Sequence, residues 1–252
     1  MAEQEVFVKN PHSILEALKR RPKEVMSVSL PRDDFDGVWE QIEELARKNK
    51  VRVEETAPVD RSAGRRERSH FKNQGGGRES GHGALVRPKA GVSIEALLSG
   101  VNENSRGVWL ALDSLQDPQN LGAIFRSASF FGVKGIIMTT ERSAPMTSVV
   151  YDISCGGVES IPFVPVINLQ RAFEKAKESG LWILGTSEHA RDSVKKIESD
   201  RPWLLVVGNE EKGIRRLTEE SCDMMCTIPT HSKGVTSLNV SVATGILLSH
   251  LT

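Results

Sequence analysis

The 252-residue chain contains no run of about 18 apolar residues, so no segment is composed to cross a bilayer as a helix. Its opening, MAEQEVFVKNPHS, lacks the basic-then-apolar layout of a secretion signal, and a cytoplasmic protein without membrane contact is expected. Cysteine is scarce: Cys155, Cys222 and Cys226 are an odd set that suits reduced thiols and argues against a disulfide framework. Cys222 and Cys226 have no second Cys or His pair at ligand spacing nearby, so no metal is expected. Excess charge of one sign is missing as well, with 33 Lys+Arg against 33 Asp+Glu, and any case for a polyanionic partner must be local. Neither GxxxxGK[ST] nor a strand-following GxGxxG occurs, which argues against a P-loop NTPase or an ordinary dinucleotide enzyme.

What is present falls into three stretches. Residues 11–55 alternate helix and strand: SILEALKRR, then EVMSVSL, then DGVWEQIEELARKNK with Val38, Ile42 and Leu45 on one face, then VRVEET. This is a small α/β module. Residues 57–83 change character, with six Lys/Arg against three acids, one aromatic (Phe71) and three consecutive glycines at Gly75–Gly77. Such a stretch cannot bury a core of its own. It reads either as a solvated linker or surface loop, or as a basic arm that meets nucleic-acid phosphates. From about residue 105, short apolar runs alternate with helical patterns: VWLALD, GIIMTT, IPFVPVI, LWILGTSE, PWLLVVG and MMCTIP are the strands. This rhythm predicts a parallel sheet covered on both faces.

Open parallel sheets bind ligands beyond the carboxyl ends of their strands, and three such loops are unusual. In the first, DPQN, the Asp117-Pro118 pair signals a turn and Asn120 is an N-cap candidate. Leu121, Ile124, Ala128 and Phe131 then share one helical face, while Arg126 lies around the helix from them, beside the space left by Gly122. Arg126 reads either as a solvated arginine or as a cation held at a strand-end pocket for a phosphate or an oxyanion. The second loop, GNEEKGI (208–214), sets acidic residues between glycines that permit close backbone approach. The third, HSKGVTSLN (231–239), precedes an apolar helix that Ser237 or Asn239 is placed to cap.

Taken together, DPQNLGAIFRSA, LLVVGNEEKGI and IPTHSKGVTSLNVSVATGILL resemble motifs one, two and three of the SpoU/TrmH family of RNA ribose 2′-O-methyltransferases, in the family's order, within a resemblance from about residue 107 to 250. The resemblance implies a SPOUT domain over 100–252, an α/β sheet whose C-terminal part is threaded into a trefoil knot holding S-adenosylmethionine. It also implies a ribosomal-protein-like RNA substrate-binding domain over residues 1–56, with an extension to about residue 95 left open, and a basic linker or loop over 57–83.

Residue by residue, the resemblance puts Asn120, Arg126, Glu210, Ser237 and Asn239 in the catalytic set. Cofactor contacts fall on Gly208, Ile228 and Leu238, with Gly185 and Thr186 lining the same pocket. The implied reaction is methylation of a ribose 2′-hydroxyl in large-subunit rRNA, at a guanosine, by a homodimer. Transfer RNA as substrate, or a non-catalytic RNA-binding or ribosome-assembly role on the same fold, are the alternatives. A guanidinium, which stays protonated at neutral pH, is poorly suited as a base, so Arg126 is expected to stabilise developing negative charge or position a phosphate. The third loop departs from close relatives in carrying His231 and Lys233.

Overall fold

A computed structural model describes residues 5–31, 37–55, 81–230, 234 and 237–252. His231, Lys233 and nearly all of the basic 57–83 stretch lie outside these residues. The chain divides into two compact units, Met1–Pro88 and Lys89–Thr252.

In the first unit the order is β1 (Val6–Val8), α1 (Pro11–Arg20), β2 (Val25–Leu30), α2 (Gly37–Lys48), β3 (Arg52–Glu55) and β4 (Gly83–Val86). The sheet runs β1-β4-β2-β3, with β2 and β3 parallel across α2 and β4 antiparallel to both of its neighbours. Residues 56–82 therefore connect two strands of one sheet. Helix α1 starts where Asn10 accepts from the N–H groups of His12 and Ser13 and Pro11 supplies the first-turn φ. Helix α2 buries Trp39, Ile42 and Ala46. The stripe expected at Val38, Ile42 and Leu45 is thus rotated about Ile42: the largest side chain goes inward, and Trp39 meets His82 edge-on at 5.4 Å.

The second unit contains α3 (Ile94–Leu97), β5 (Val108–Leu112), α4 (Pro118–Phe130), β6 (Ile136–Thr139), α5 (Ser148–Ser154), α6 (Gly157–Ser160), β7 (Phe163–Val166), α7 (Leu169–Glu178), β8 (Trp182–Thr186), β9 (Asp192–Ser193), β10 (Trp203–Val207), α8 (Arg216–Glu220), β11 (Met224–Thr227) and α9 (Val240–Leu251). Its seven strands are ordered β7-β6-β5-β10-β8-β11-β9 and all pair in parallel. Every residue of β5, β6 and β10 is buried, as continuous apolar runs covered on two faces require. On one face, Trp109, Ile137, Val164, Ile183 and Leu204 pack against Phe173 and Ala176 of α7. The six strands read from the sequence are joined by one more, the two-residue β9.

Strands β6 and β7 extend from β5 in one direction, whereas β10, β8 and β11 lie in the other. The sheet's switch of direction falls between β5 and β10, the place where an open parallel sheet leaves a crevice at its carboxyl edge.

Candidate active site

Helix α4 begins at that crevice. Its N-cap is Asp117, whose carboxylate accepts from the Gln119 N–H at 2.8 Å, with Pro118 in the first turn. This corrects the reading of Asn120 as the cap: proline holds the first helical position, so Asn120 lies inside the helix and its buried amide is free for long-range bonds. Two further corrections concern the same helix. Phe131 is only partly buried, and Phe125 takes the interior place, 5.9 Å edge-to-face from Phe163. Gly122 opens no space beside Arg126, since a Cβ there would lie 2.9 Å from Cβ of Ile153 and 3.0 Å from the Val150 carbonyl. Its role is close packing of α4 on α5.

The three loops meet through side-chain amides. Asn239 caps α9 by accepting from the N–H groups of Ser241 (2.9 Å) and Val242 (3.4 Å). With its Oδ1 so occupied, its Nδ2 donates to Oδ1 of Asn120 at 2.9 Å. Asn120 in turn donates from Nδ2 to Oε1 of Glu210 at 3.0 Å. Asn209 closes the chain, its Nδ2 donating to Oε2 of Glu210 at 3.2 Å and to the Ser114 carbonyl at 3.0 Å. Both amide orientations are set by this directionality, because a carboxylate only accepts.

The loop after β10 is a tight return. Asn209 and Gly213 exchange both backbone hydrogen bonds at 2.9 Å, and Asn209 Oδ1 accepts from the N–H groups of Glu211 and Lys212. Gly208 must be glycine, since a Cβ would stand 2.2 Å from the Gly213 carbonyl carbon. Gly213 has φ +65°, a left-handed conformation that favours glycine.

Arg126 projects from the exposed part of α4 and makes no side-chain hydrogen bond or ion pair among the described residues. Ser237 is exposed and, among the described residues, its hydroxyl is outside the network. The residues expected to meet a cofactor lie along one edge: Gly185 and Thr186 end β8, Gly208 follows β10 and Ile228 follows β11, in adjacent strands. Thr186 donates from Oγ1 to the Val206 carbonyl at 3.0 Å. Leu238 is 48% exposed and Ile228 partly so, leaving apolar surface beside polar backbone. Among the described residues no three His, Cys, Asp or Glu gather at metal-binding range. Burial pushes the Cys222 and Cys226 thiols up to about 12, so neither is a thiolate at neutral pH.

Sequence reasoning missed Asn209 and Asp113. Asn209 follows a strand and precedes two acids and Gly213, the composition of an Asx turn. Asp113 is the charge that ends the apolar run VWLAL, and it is fully buried.

The class follows from the whole architecture. The structure has the fold of the SpoU methyltransferases: AviRb of Streptomyces viridochromogenes, in complex with the cofactor AdoMet, matches over 98% of this chain and 89% of its own, with TM-score 0.76 and 22% identity. By sequence, the 23S rRNA (guanosine-2′-O-)-methyltransferase RlmB of Pseudomonas aeruginosa is 37% identical over 94% of this chain and 92% of its own length. RlmB of Shewanella oneidensis is 44% identical over 139 residues, 55% of this chain and 56% of its own. The family model described as the SpoU rRNA Methylase family matches residues 107–249. The chain belongs to that family.

Proposed function

We propose that the protein methylates a guanosine ribose 2′-hydroxyl of 23S-type large-subunit rRNA, using S-adenosylmethionine. The observation that carries the reading is the bonded set Asn239–Asn120–Glu210, drawn from three loops to the sheet's switch point, with Arg126 uncompensated on the helix leaving the first loop. The RlmB relative that matches over nearly the full length supports the rRNA substrate.

The residues present suit the cofactor. Ile228 and Leu238 offer apolar surface to a purine, and backbone groups around Gly208 offer hydrogen bonds beside it. When bound, S-adenosylmethionine would supply the ribose 2′-oxygen with an electrophilic methyl group carried on a sulfonium, whose sulfur leaves as a neutral thioether. The chain's task is to hold that oxygen in line and ease loss of its proton. Arg126 stabilises the developing alkoxide or the adjacent phosphate as a fixed cation. Glu210, bonded on both oxygens, keeps further lone pairs for a ribose hydroxyl. Ser237 is assigned as a substrate or cofactor contact.

The unit that precedes the methylase domain is assigned to RNA binding, and the trefoil knot is carried over from the family. A homodimer is part of the same proposal: Val242 (52%) and Ile246 (39%) form an exposed apolar i, i+4 pair on α9, and Phe130 is exposed on the adjoining α4. No helix among the described residues is long and apolar enough to cross a membrane, and a cytoplasmic location accords with an rRNA substrate.

The test is incubation with methyl-labelled S-adenosylmethionine and separate unmethylated rRNA and tRNA pools. Label in large-subunit rRNA supports the reading. Label confined to tRNA rejects the substrate, and no label in either pool favours a binding-only protein.

A further inference from the structure

Arg215 is held in an uncommon way for an exposed arginine. Its Nε lies 2.7 Å from Oδ1 of Asp113, and its backbone N–H donates to Oδ2 of the same carboxylate at 3.3 Å. Thr218 Oγ1 donates to Oδ2 at 2.8 Å and Ser114 Oγ to Oδ1 at 3.1 Å. Asp113 is completely buried at the end of β5, and these donors meet the requirement that a buried carboxylate be paired and hydrogen-bonded.

The consequence for Arg215 is that its guanidinium approaches Asp113 closest through the Nε edge. Among the described residues neither terminal nitrogen makes a hydrogen bond, Asp113 is the guanidinium's one ion-pair partner, and half of the side chain is exposed. Arg201 offers the contrast: Nε and Nη2 are both taken by Asp200 in two 2.8 Å bonds, so its fork is closed by its neighbour. Asp113 fixes the inner edge of the Arg215 guanidinium and leaves four terminal N–H groups for a ligand. The same segment is joined to the candidate site, since Ser114, which donates to Asp113, also accepts from Asn209 beside Glu210.

We infer that Arg215, pre-oriented by Asp113, binds a backbone phosphate of the RNA next to the target ribose. The inference rests on the RNA methyltransferase reading above. A planar fork suits phosphate, and an arginine whose plane is already set loses little freedom on binding.

The experiment measures affinity for an rRNA fragment across KCl concentrations, RNA KM and kcat, and S-adenosylmethionine Kd, for the wild type, Arg215→Ala and Arg201→Ala. Arg215→Ala is expected to weaken RNA binding about tenfold and to lower the log–log salt slope by roughly 0.7–0.9, the share of one phosphate contact. RNA KM should rise with kcat nearly unchanged, and cofactor affinity should hold. Arg201→Ala should change none of these. If Arg215→Ala does not fold because Asp113 is left unpaired, the Asp113→Asn/Arg215→Gln double variant removes both charges and is expected to show the same RNA defect. Unchanged RNA affinity and salt slope in a folded variant, with wild type methylating rRNA, would overturn the inference and leave the methyltransferase reading intact. An Arg215-dependent salt slope in a wild type that transfers no methyl would support the phosphate contact and sink the methyltransferase reading instead.

Discussion

Asn120 donates to Glu210 at 3.0 Å although 90 residues separate them in the chain. The bond joins the first turn of α4, the helix that follows β5, to the loop after β10, and the parallel pairing of those strands sets the two side by side. Replacing Asn120 by Asp removes the donor and puts a second acid against Glu210. Methyl transfer should fall at least about a hundredfold, with a stability loss of about 1–3 kcal/mol. Turnover assays and denaturant unfolding check this; wild-type turnover would remove the bond from the account.

Arg126→Ala should abolish methyl transfer while largely preserving cofactor affinity, because the side chain has no structural partner among the described residues. Single-turnover transfer and equilibrium dialysis with S-adenosylmethionine separate the two effects. Near-normal turnover would contradict the assignment.

Gly208→Ala tests the return loop. Its Cβ would meet backbone atoms of Gly213 and Ile214 at 2.2–2.4 Å, where no flexible side chain can yield. A stability loss of about 1–3 kcal/mol is expected from thermal or denaturant melts, with weaker cofactor binding. A melt equal to wild type would show that the loop has another conformation.

How far the sequence reached can be judged from these same residues. The all-buried runs at β5 and β10 are legible because a strand covered on both faces has no polar positions, and the short loops after them are where a parallel sheet keeps its ligands. The bonds between Asn239, Asn120 and Glu210 are not, since register and amide orientation are settled only when distant loops meet. Asn120 shows the difference: it has the composition of a cap, but Pro118 and Asp117 take that place and leave it for the site. Strands β1 and β4 were missed because three or four residues carry too little period to read. Arg215 and Asp113 look like ordinary charges until one is found buried under the other.

The two raised thiols predict a pH effect. Cys222 and Cys226 are pushed up to about 12 chiefly by burial, from an ordinary value of 9.0. Above pH 9 the unfolded chain releases these protons while the folded chain retains them, so stability present below pH 9 is lost as pH rises toward 12. Each thiol contributes at most about 1.4 kcal/mol per pH unit. Between pH 8 and pH 10 the unfolding free energy should fall less for Cys222→Ala/Cys226→Ala than for wild type; equal falls would contradict the burial effect.

The central claim is that these three loops transfer a methyl group to a guanosine 2′-oxygen of large-subunit rRNA. Its most direct measurement is mass spectrometry of nucleosides from unmethylated 23S rRNA after incubation with S-adenosylmethionine and either wild type or Arg126→Ala. The wild type is expected to yield 2′-O-methylguanosine and the variant none. A methyl group on a base, or equal product from both proteins, would contradict it.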